Sequence, residues 1–176
     1  MIRKAELRAF IEDDLSKKRA VALVQQTPEP ENLAAVLWEF ILLNEHPLSW
    51  RATWFLEHLA SENKDYARPY LDAIVQAFSG FKYDGQKRSS MKILLMFELH
   101  DYNYEPMVGR CFDMLLSQNE PMAVRMFCMR FLLQVVKIEP ELKSELQESL
   151  EFILPHAQKG LLSACKNSLQ ALAKMC

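Results

Sequence analysis

The chain has 176 residues, of which half are hydrophobic and a quarter are charged, and its formal net charge at pH 7 is −2. This composition is typical of an ordinary globular protein and excludes a disordered or fibrous chain. The small negative charge and the pI of about 6.1 argue against general affinity for nucleic acid or for an anionic membrane surface.

The N-terminal stretch, residues 1–13, is charged and amphipathic, and it lacks the continuous apolar segment of a signal peptide. The longest strongly apolar runs, residues 37–43 and 126–136, are too short or too charged to span a bilayer. The four cysteines show no CxxC spacing: Cys111, Cys128, Cys165 and Cys176. We therefore expect a cytoplasmic protein with reduced thiols, in which Cys128 and Cys165 serve as small apolar residues.

Apolar residues recur at helical rather than alternating spacing along almost the whole chain. Prolines fall just before or inside the first turn of several of these runs, where a helix tolerates them. No alternating segment is long enough to seed a sheet, so the sequence predicts an all-α fold. The predicted helices span residues 2–13, 17–26, 31–44, 48–62, 66–79, 86–100, 104–118, 121–137, 140–154 and 159–175.

Equivalent residues recur about every 37 positions in successive helix pairs. Arg51, Arg88 and Arg125 are each 37 residues apart. Two further columns keep this spacing: Trp54, Met91, Cys128 and Cys165, and His58, Leu95, Leu132 and Leu169. A shared period indicates stacked units, because one helical hairpin cannot bury its apolar faces alone. We predict a single repeat domain over residues 1–176, in which residues 1–30 form a divergent capping unit and residues 31–176 form the repeats.

Helix pairs of this length, with an arginine early in the second helix, resemble the HEAT/armadillo class of α-helical repeats. In HEAT repeats an acidic residue near the turn often precedes that basic residue. The corresponding pairs are Glu45 and Arg51, Asp84 and Arg88, and Glu120 and Arg125, whereas the fourth unit carries Leu162. The resemblance implies a right-handed α-solenoid of stacked antiparallel helix pairs. It also implies that the second helices, residues 48–62, 86–100, 121–137 and 159–175, line the concave face.

The arginine column has two interpretations. Each guanidinium can pair with an acid of its own or the adjoining unit and fix the turn, which suits the planar five-donor fork of arginine. Alternatively, Arg51, Arg88 and Arg125 can form a cationic stripe that binds phosphate or carboxylate groups. We favour the first interpretation because an acid lies close in sequence to each arginine.

Two tryptophans and a histidine are the other candidates for a site. Trp50 and Trp54 lie one turn apart and can share a helix face. We expect Trp54 to lie in the core, because its column otherwise holds Met and Cys, and Trp50 to lie nearer the surface, because its column contains Lys87. His58 interrupts a column of leucines beside Glu57. It is either a histidine satisfied within the fold or an acid–base or pH-responsive group.

The sequence contains none of the common catalytic, metal-binding or nucleotide-binding motifs. The sequence lacks HExxH, paired Cys/His sets, GxGxxG, GxxxxGK[ST] and GxSxG. With four glycines in all, a backbone cradle for phosphate is not expected. We therefore predict no catalytic residues, no cofactor and no metal.

The leading hypothesis is a scaffold module that binds a protein partner through its second helices. The candidate contact residues are Trp50, Arg51, Lys87, Arg88, Lys92 and Arg125. Two alternatives stay open: a nucleic-acid-binding protein similar to HEAT-like alkylpurine glycosylases, which the net charge disfavours, and a small-molecule enzyme with a site near Glu57 and His58. No membrane partner is expected. A homodimer is a further alternative, through apolar residues of the last unit such as Leu169 and Leu172.

Overall fold

The computed structural model describes residues 3–175, and within that range the chain is helical without any β-strand. All ten predicted helices are present, which confirms the all-α prediction. They are α1 (Lys4–Asp13), α2 (Lys17–Gln26), α3 (Pro30–Leu42), α4 (Leu48–Glu62), α5 (Leu71–Ala77), α6 (Asp84–Leu94), α7 (Glu105–Leu116), α8 (Met122–Val135), α9 (Lys143–Ile153) and α10 (Lys159–Ala173).

The chain divides into two compact units, the first ending at Tyr102 and the second beginning at Asn103. In the first unit α3 packs against α4, α4 packs against α6, and α1 and α2 both contact α4. In the second unit α7 packs against α8 and α9 against α10, with further contacts from α7 to α9 and from α8 to α10. This packing in adjacent pairs confirms the helical-repeat architecture, while the prediction of one continuous domain over residues 1–176 stays a prediction.

Helix α4 is the centre of the first unit's core. Its residues Ala52, Phe55, Leu56 and Leu59 are fully buried. In the second unit the core contains fully buried Cys111, Cys128, Leu132 and Cys165. The cysteines of these columns are free thiols, so Cys128 and Cys165 serve as small apolar side chains, as predicted.

Two helices are markedly shorter in the structure than predicted, and both differences have local causes. The segment 66–79 is α-helical only from Leu71, after two short 3₁₀ turns, because Pro69 disfavours the α conformation of the residue before it. The segment 86–100 is α-helical only to Leu94. Beyond it the chain buries both Phe97 and Leu99, which are two residues apart and cannot face the same side of an α-helix.

The glycines of α6 and α7 have opposite surroundings and give a stability prediction. A methyl group added at Gly109, in the exposed middle of α7, would meet nothing within 4 Å, whereas at Gly85 it would lie 3.0 Å from the ring of Trp50. We expect Gly109→Ala to raise the free energy of unfolding by about 0.5–1 kcal/mol, because alanine loses less backbone entropy in a helix. Gly85→Ala should give no such gain. Urea denaturation of both variants tests this, and a destabilised Gly109→Ala would contradict it.

Candidate functional site

Arginines from two helices bind the last main-chain carbonyl groups of α1. The guanidinium of Arg51, at the start of α4, donates from Nη1 to the carbonyl oxygens of Ile11 at 3.0 Å and Glu12 at 2.8 Å. Arg19 of α2 donates from Nη2 to the carbonyl oxygen of Phe10 at 3.2 Å and forms an ion pair with Asp13 at 2.7 Å. These carbonyls have no partner within their own helix, and the negative end of the helix dipole attracts a cation there.

The second unit repeats this arrangement with Arg125, whose Nε donates to the carbonyl oxygen of Leu115 near the end of α7, at 2.9 Å. The middle member of the column, Arg88, is exposed. The hydrogen bonds of Arg51 and Arg125 therefore differ from the expected pairing with a preceding acid, and Glu45 instead binds Arg8 at 2.5 Å. A helix C-terminus attracts a guanidinium without desolvating a second full charge, which accounts for the preference.

Polar side chains at the start of α4 and α6 bind the end of α3 in the same way. Ser49 donates from Oγ to the carbonyl oxygen of Phe40 at 2.7 Å, and Gln86 donates from Nε2 to that of Ile41 at 3.1 Å. The chain then reverses at Asn44, whose φ of 52° lies in the left-handed region that asparagine tolerates. Sequence reasoning missed both capping residues, although Ser49 and Gln86 are 37 residues apart and polar beside apolar columns.

The two tryptophans differ from their predicted roles. Both are half-buried, but Trp50 packs tightly over Gly85 of α6. The guanidinium carbon of Arg51 lies 5.6 Å from the centre of the Trp50 ring. Trp54 stands against the ring of His58, with the centroids 4.3 Å apart and the planes at 87°. The prediction that Trp54 lies in the core is therefore wrong. Tryptophan is larger than Met91 and Cys128, which are fully buried at the equivalent positions of the same column.

A buried carboxylate joins α4 to α6. Glu57 is 5% exposed, and its two oxygens accept hydrogen bonds from different partners. The Ser89 hydroxyl donates to Oε2 at 2.6 Å, and the Lys92 ammonium donates to Oε1 at 2.5 Å. The side chain of Lys92 keeps 40% of its surface exposed, so the ammonium lies at the border between the core and solvent. The structure thus brings together the predicted residues Glu57 and Lys92.

His58 lies next to this carboxylate on α4, with its Nε2 buried and without a hydrogen-bond partner. Loss of hydration around the half-buried ring lowers the pKa of His58 from its ordinary value. The charges of Lys17 and Lys92 lower this pKa further, whereas those of Glu57 and Glu62 oppose the change. The imidazole therefore favours its neutral form.

A lowered pKa at His58 makes part of the stability depend on pH. Because the unfolded chain binds this proton more readily, the neutral imidazole of folded His58 contributes to the free energy of unfolding. This contribution is fully present above the unfolded pKa of about 6.5. It is lost as pH falls from there to the lower folded pKa. His58→Leu, which restores the residue found at Leu95 and Leu132, should remove this loss. We expect the variant to gain stability relative to the wild type between about pH 7.5 and pH 5.5 in urea denaturation. A stability difference that does not change with pH would contradict the assignment.

The exposed and half-exposed residues near these contacts form one candidate surface in the first unit. We call it the α4–α6 face and define it by Trp54, His58, Arg88 and Lys92. Arg88 and Lys92 are one helical turn apart on α6 and point to the same side. The face combines an aromatic pair with two cations, a combination found in protein-binding hot spots.

The remaining predicted residues lie elsewhere or are less accessible. Lys87 is half-buried on α6, and Arg125 belongs to the second unit. Leu169 is half-buried, but Leu172 is 1% exposed, so the expectation that Leu172 presents an apolar surface for a homodimer is wrong. Its spacing from Leu161, Cys165 and Ser168 places it on the buried face of α10. Within residues 3–175, no three His, Cys, Asp or Glu side chains are placed to hold a metal ion.

None of the helices in residues 3–175 is both long and apolar enough to cross a membrane. Comparison with curated proteins and with solved structures gave no match. A family model for the HEAT repeat domain matches residues 7–172, which is nearly the whole chain. The match agrees with the ten helices, their packing in adjacent pairs and the columns spaced by 37 residues. The chain therefore belongs to the HEAT repeat domain family.

Proposed function

We propose that this protein is an interaction module whose α4–α6 face binds an acidic segment of a partner protein. HEAT repeat domains are in general protein-interaction modules. The observation that carries the proposal is the position of Arg88, which is exposed although Arg51 and Arg125 of the same column bind main-chain carbonyls. Its guanidinium is therefore suited to bind a carboxylate of the partner in a bidentate geometry.

Neighbouring groups support this assignment. Lys92 lies one turn beyond Arg88, and its ammonium is held in place by Glu57. Trp54 and His58 on α4 supply a rigid aromatic surface, which can bury partner side chains with little loss of conformational entropy. From the six predicted contact residues the proposal keeps Arg88 and Lys92 as direct contacts and Lys87 as a neighbour. It assigns Trp50, Arg51 and Arg125 first to the packing and capping described above.

The two alternative functions receive less support from the geometry. A nucleic-acid groove would need the whole arginine column as phosphate contacts, yet the guanidinium of Arg51 already donates to two helix carbonyls, and Arg125 belongs to the second unit. An enzyme site at Glu57 would need a carboxylate that can accept a proton from a substrate, and both of its oxygens already accept hydrogen bonds. Binding of an acidic segment needs neither a cytoplasmic location nor a homodimer, and both stay predictions.

Affinity purification from cells of the source organism tests the proposal with matched variants. We expect Arg88→Glu and Trp54→Ala each to lose a protein that the wild type retains. Lys82→Glu reverses another exposed charge, in the connection before α6, and this variant should retain the protein. Circular dichroism must show that all variants are folded. A partner retained equally by Arg88→Glu and by the wild type would contradict the α4–α6 face. Loss of the retained material after nuclease treatment would instead favour nucleic-acid binding.

A further inference from the structure

Two adjoining cavities lie in the second unit between the α7–α8 connection and the α9–α10 connection. Their volumes are about 290 Å³ and about 250 Å³. Gln118, Arg125 and His156 line both of them, so the cavities share a wall. Each is slightly smaller than the usual range of small-molecule pockets, about 300–1,000 Å³, and together they offer room for a short peptide segment rather than for a large cofactor.

Arg125 is fixed at the shared wall. Its Nε donates to the carbonyl oxygen of Leu115 at 2.9 Å, and this bond orients the guanidinium plane. The bond uses Nε alone, so it leaves both terminal amino groups of the fork to face other acceptors. A guanidinium presented in this way suits a carboxylate, which can accept two parallel hydrogen bonds from it.

Exposed apolar side chains surround the same cavities. Phe152 is 68% exposed, Met122 43% and Leu116 39%. Among residues 3–175 these are three of the six large apolar side chains that are exposed, and all three line one or the other cavity. Apolar groups gathered on a surface beside polar groups are typical of a binding site.

The two cavities differ in charge. The smaller one is lined by three apolar residues and three that can donate hydrogen bonds: Leu116, Phe152 and Ile153, and Gln118, Arg125 and His156. No carboxylate is among these lining residues. Glu120 lines only the larger cavity, together with the carboxamide of Gln158. An anion is therefore favoured in the smaller cavity, whereas in the larger one the carboxamide oxygens of Gln118 and Gln158 can accept hydrogen bonds from main-chain N–H groups.

We propose that these cavities bind the C-terminus of a partner protein that ends in an apolar residue. The terminal carboxylate binds Arg125 in the smaller cavity, and the last side chain contacts Leu116 and Phe152. The preceding main-chain amides lie along the larger cavity. A C-terminal apolar residue carries its carboxylate and its apolar side chain on the same carbon, as the smaller cavity requires. An internal Asp or Glu carries its carboxylate on its own side chain, so an apolar side chain beside it must come from another residue. The site is independent of the α4–α6 face.

Fluorescence polarisation with labelled hexapeptides and the full chain tests the proposal. The probes are a Gly/Ser peptide ending in Leu with a free carboxylate, the same peptide as its C-terminal amide, and an amidated peptide with an internal Asp. We expect the free acid to bind at least about tenfold more tightly than either amidated peptide, because a charge-assisted bidentate contact is lost in both. Equal binding of acid and amide, or no binding of the acid at about 1 mM, would overturn the proposal.

Variants outside the core keep the test independent of folding. Phe152→Ser and His156→Ala change exposed side chains that line the cavities, and each should weaken binding of the free acid about tenfold. Ile138→Ser is the matched control, because Ile138 is 56% exposed in the same unit and is not a lining residue of either cavity. Its affinity should stay within about twofold of the wild type. Equal losses in Ile138→Ser and Phe152→Ser, or none in Phe152→Ser, would overturn the proposed site.

Discussion

Replacing Arg51 with methionine is expected to lower the free energy of unfolding by about 2–3 kcal/mol. Hydrogen bonds to charged groups contribute about 1.5–3 kcal/mol each, and part of this is offset where water can reach the released carbonyl groups. Arg51 donates to two carbonyls at the end of α1, and one of them belongs to Ile11, which is fully buried. Methionine keeps most of the apolar stem, so the change reports mainly on the guanidinium.

Urea denaturation of Arg51→Met and Arg88→Met, monitored by circular dichroism, measures this effect with a control from the same column. Arg88 is exposed, so its replacement should change the free energy of unfolding by no more than about 0.5 kcal/mol. Arg51→Lys should recover only part of the loss, because an ammonium cannot reproduce the geometry of the fork. Equal destabilisation by Arg51→Met and Arg88→Met would contradict the prediction, because the hydrogen bonds of Arg51 to the end of α1 would then add no stability beyond that of an exposed arginine.

The arginine column shows where sequence reasoning succeeds and where it stops. A period of 37 residues predicted stacked helix pairs, because the equal spacing of equivalent residues in successive units can be read directly from the chain. The hydrogen-bond acceptors of Arg51 could not be predicted from the sequence in this way. They are carbonyl groups of Ile11 and Glu12, about 40 residues earlier in the chain, and every residue type carries the same carbonyl. A side chain that binds the main chain leaves no complementary residue in the sequence.

The tryptophans illustrate a second limit of sequence analysis. Helical spacing placed Trp50 and Trp54 on neighbouring turns correctly, but it did not determine which ring is covered by another helix. That depends on Gly85, a residue 35 positions after Trp50, whose missing side chain gives the Trp50 ring its space. In the structure Trp54 is left beside His58 on the α4–α6 face. Periodicity thus identifies a helix face, whereas local packing between helices decides how much of each side chain remains exposed.

The Glu57–Lys92 pair gives the second prediction. Lys92→Met should lower the free energy of unfolding by about 2 kcal/mol, because it leaves the carboxylate of Glu57 without its cation in a site that is 5% exposed. Removing one member of a fully buried pair costs about 3–5 kcal/mol, and the smaller value follows from the 40% exposure of the Lys92 side chain. Ser89 keeps its hydrogen bond to Glu57, which limits the loss further.

A double-mutant cycle separates the pair from the individual side chains. The variants are Lys92→Met, Glu57→Met and the two combined, each measured by urea denaturation at neutral pH. We expect the combined variant to be less destabilised than the two single losses added together, by about 1–2 kcal/mol, because no buried charge is left without a partner. If the losses simply add, the contact at 2.5 Å between Lys92 Nζ and Glu57 Oε1 contributes nothing to folding. The carboxylate would then depend on Ser89 alone, and Lys92 would be available in full to a partner that binds the α4–α6 face.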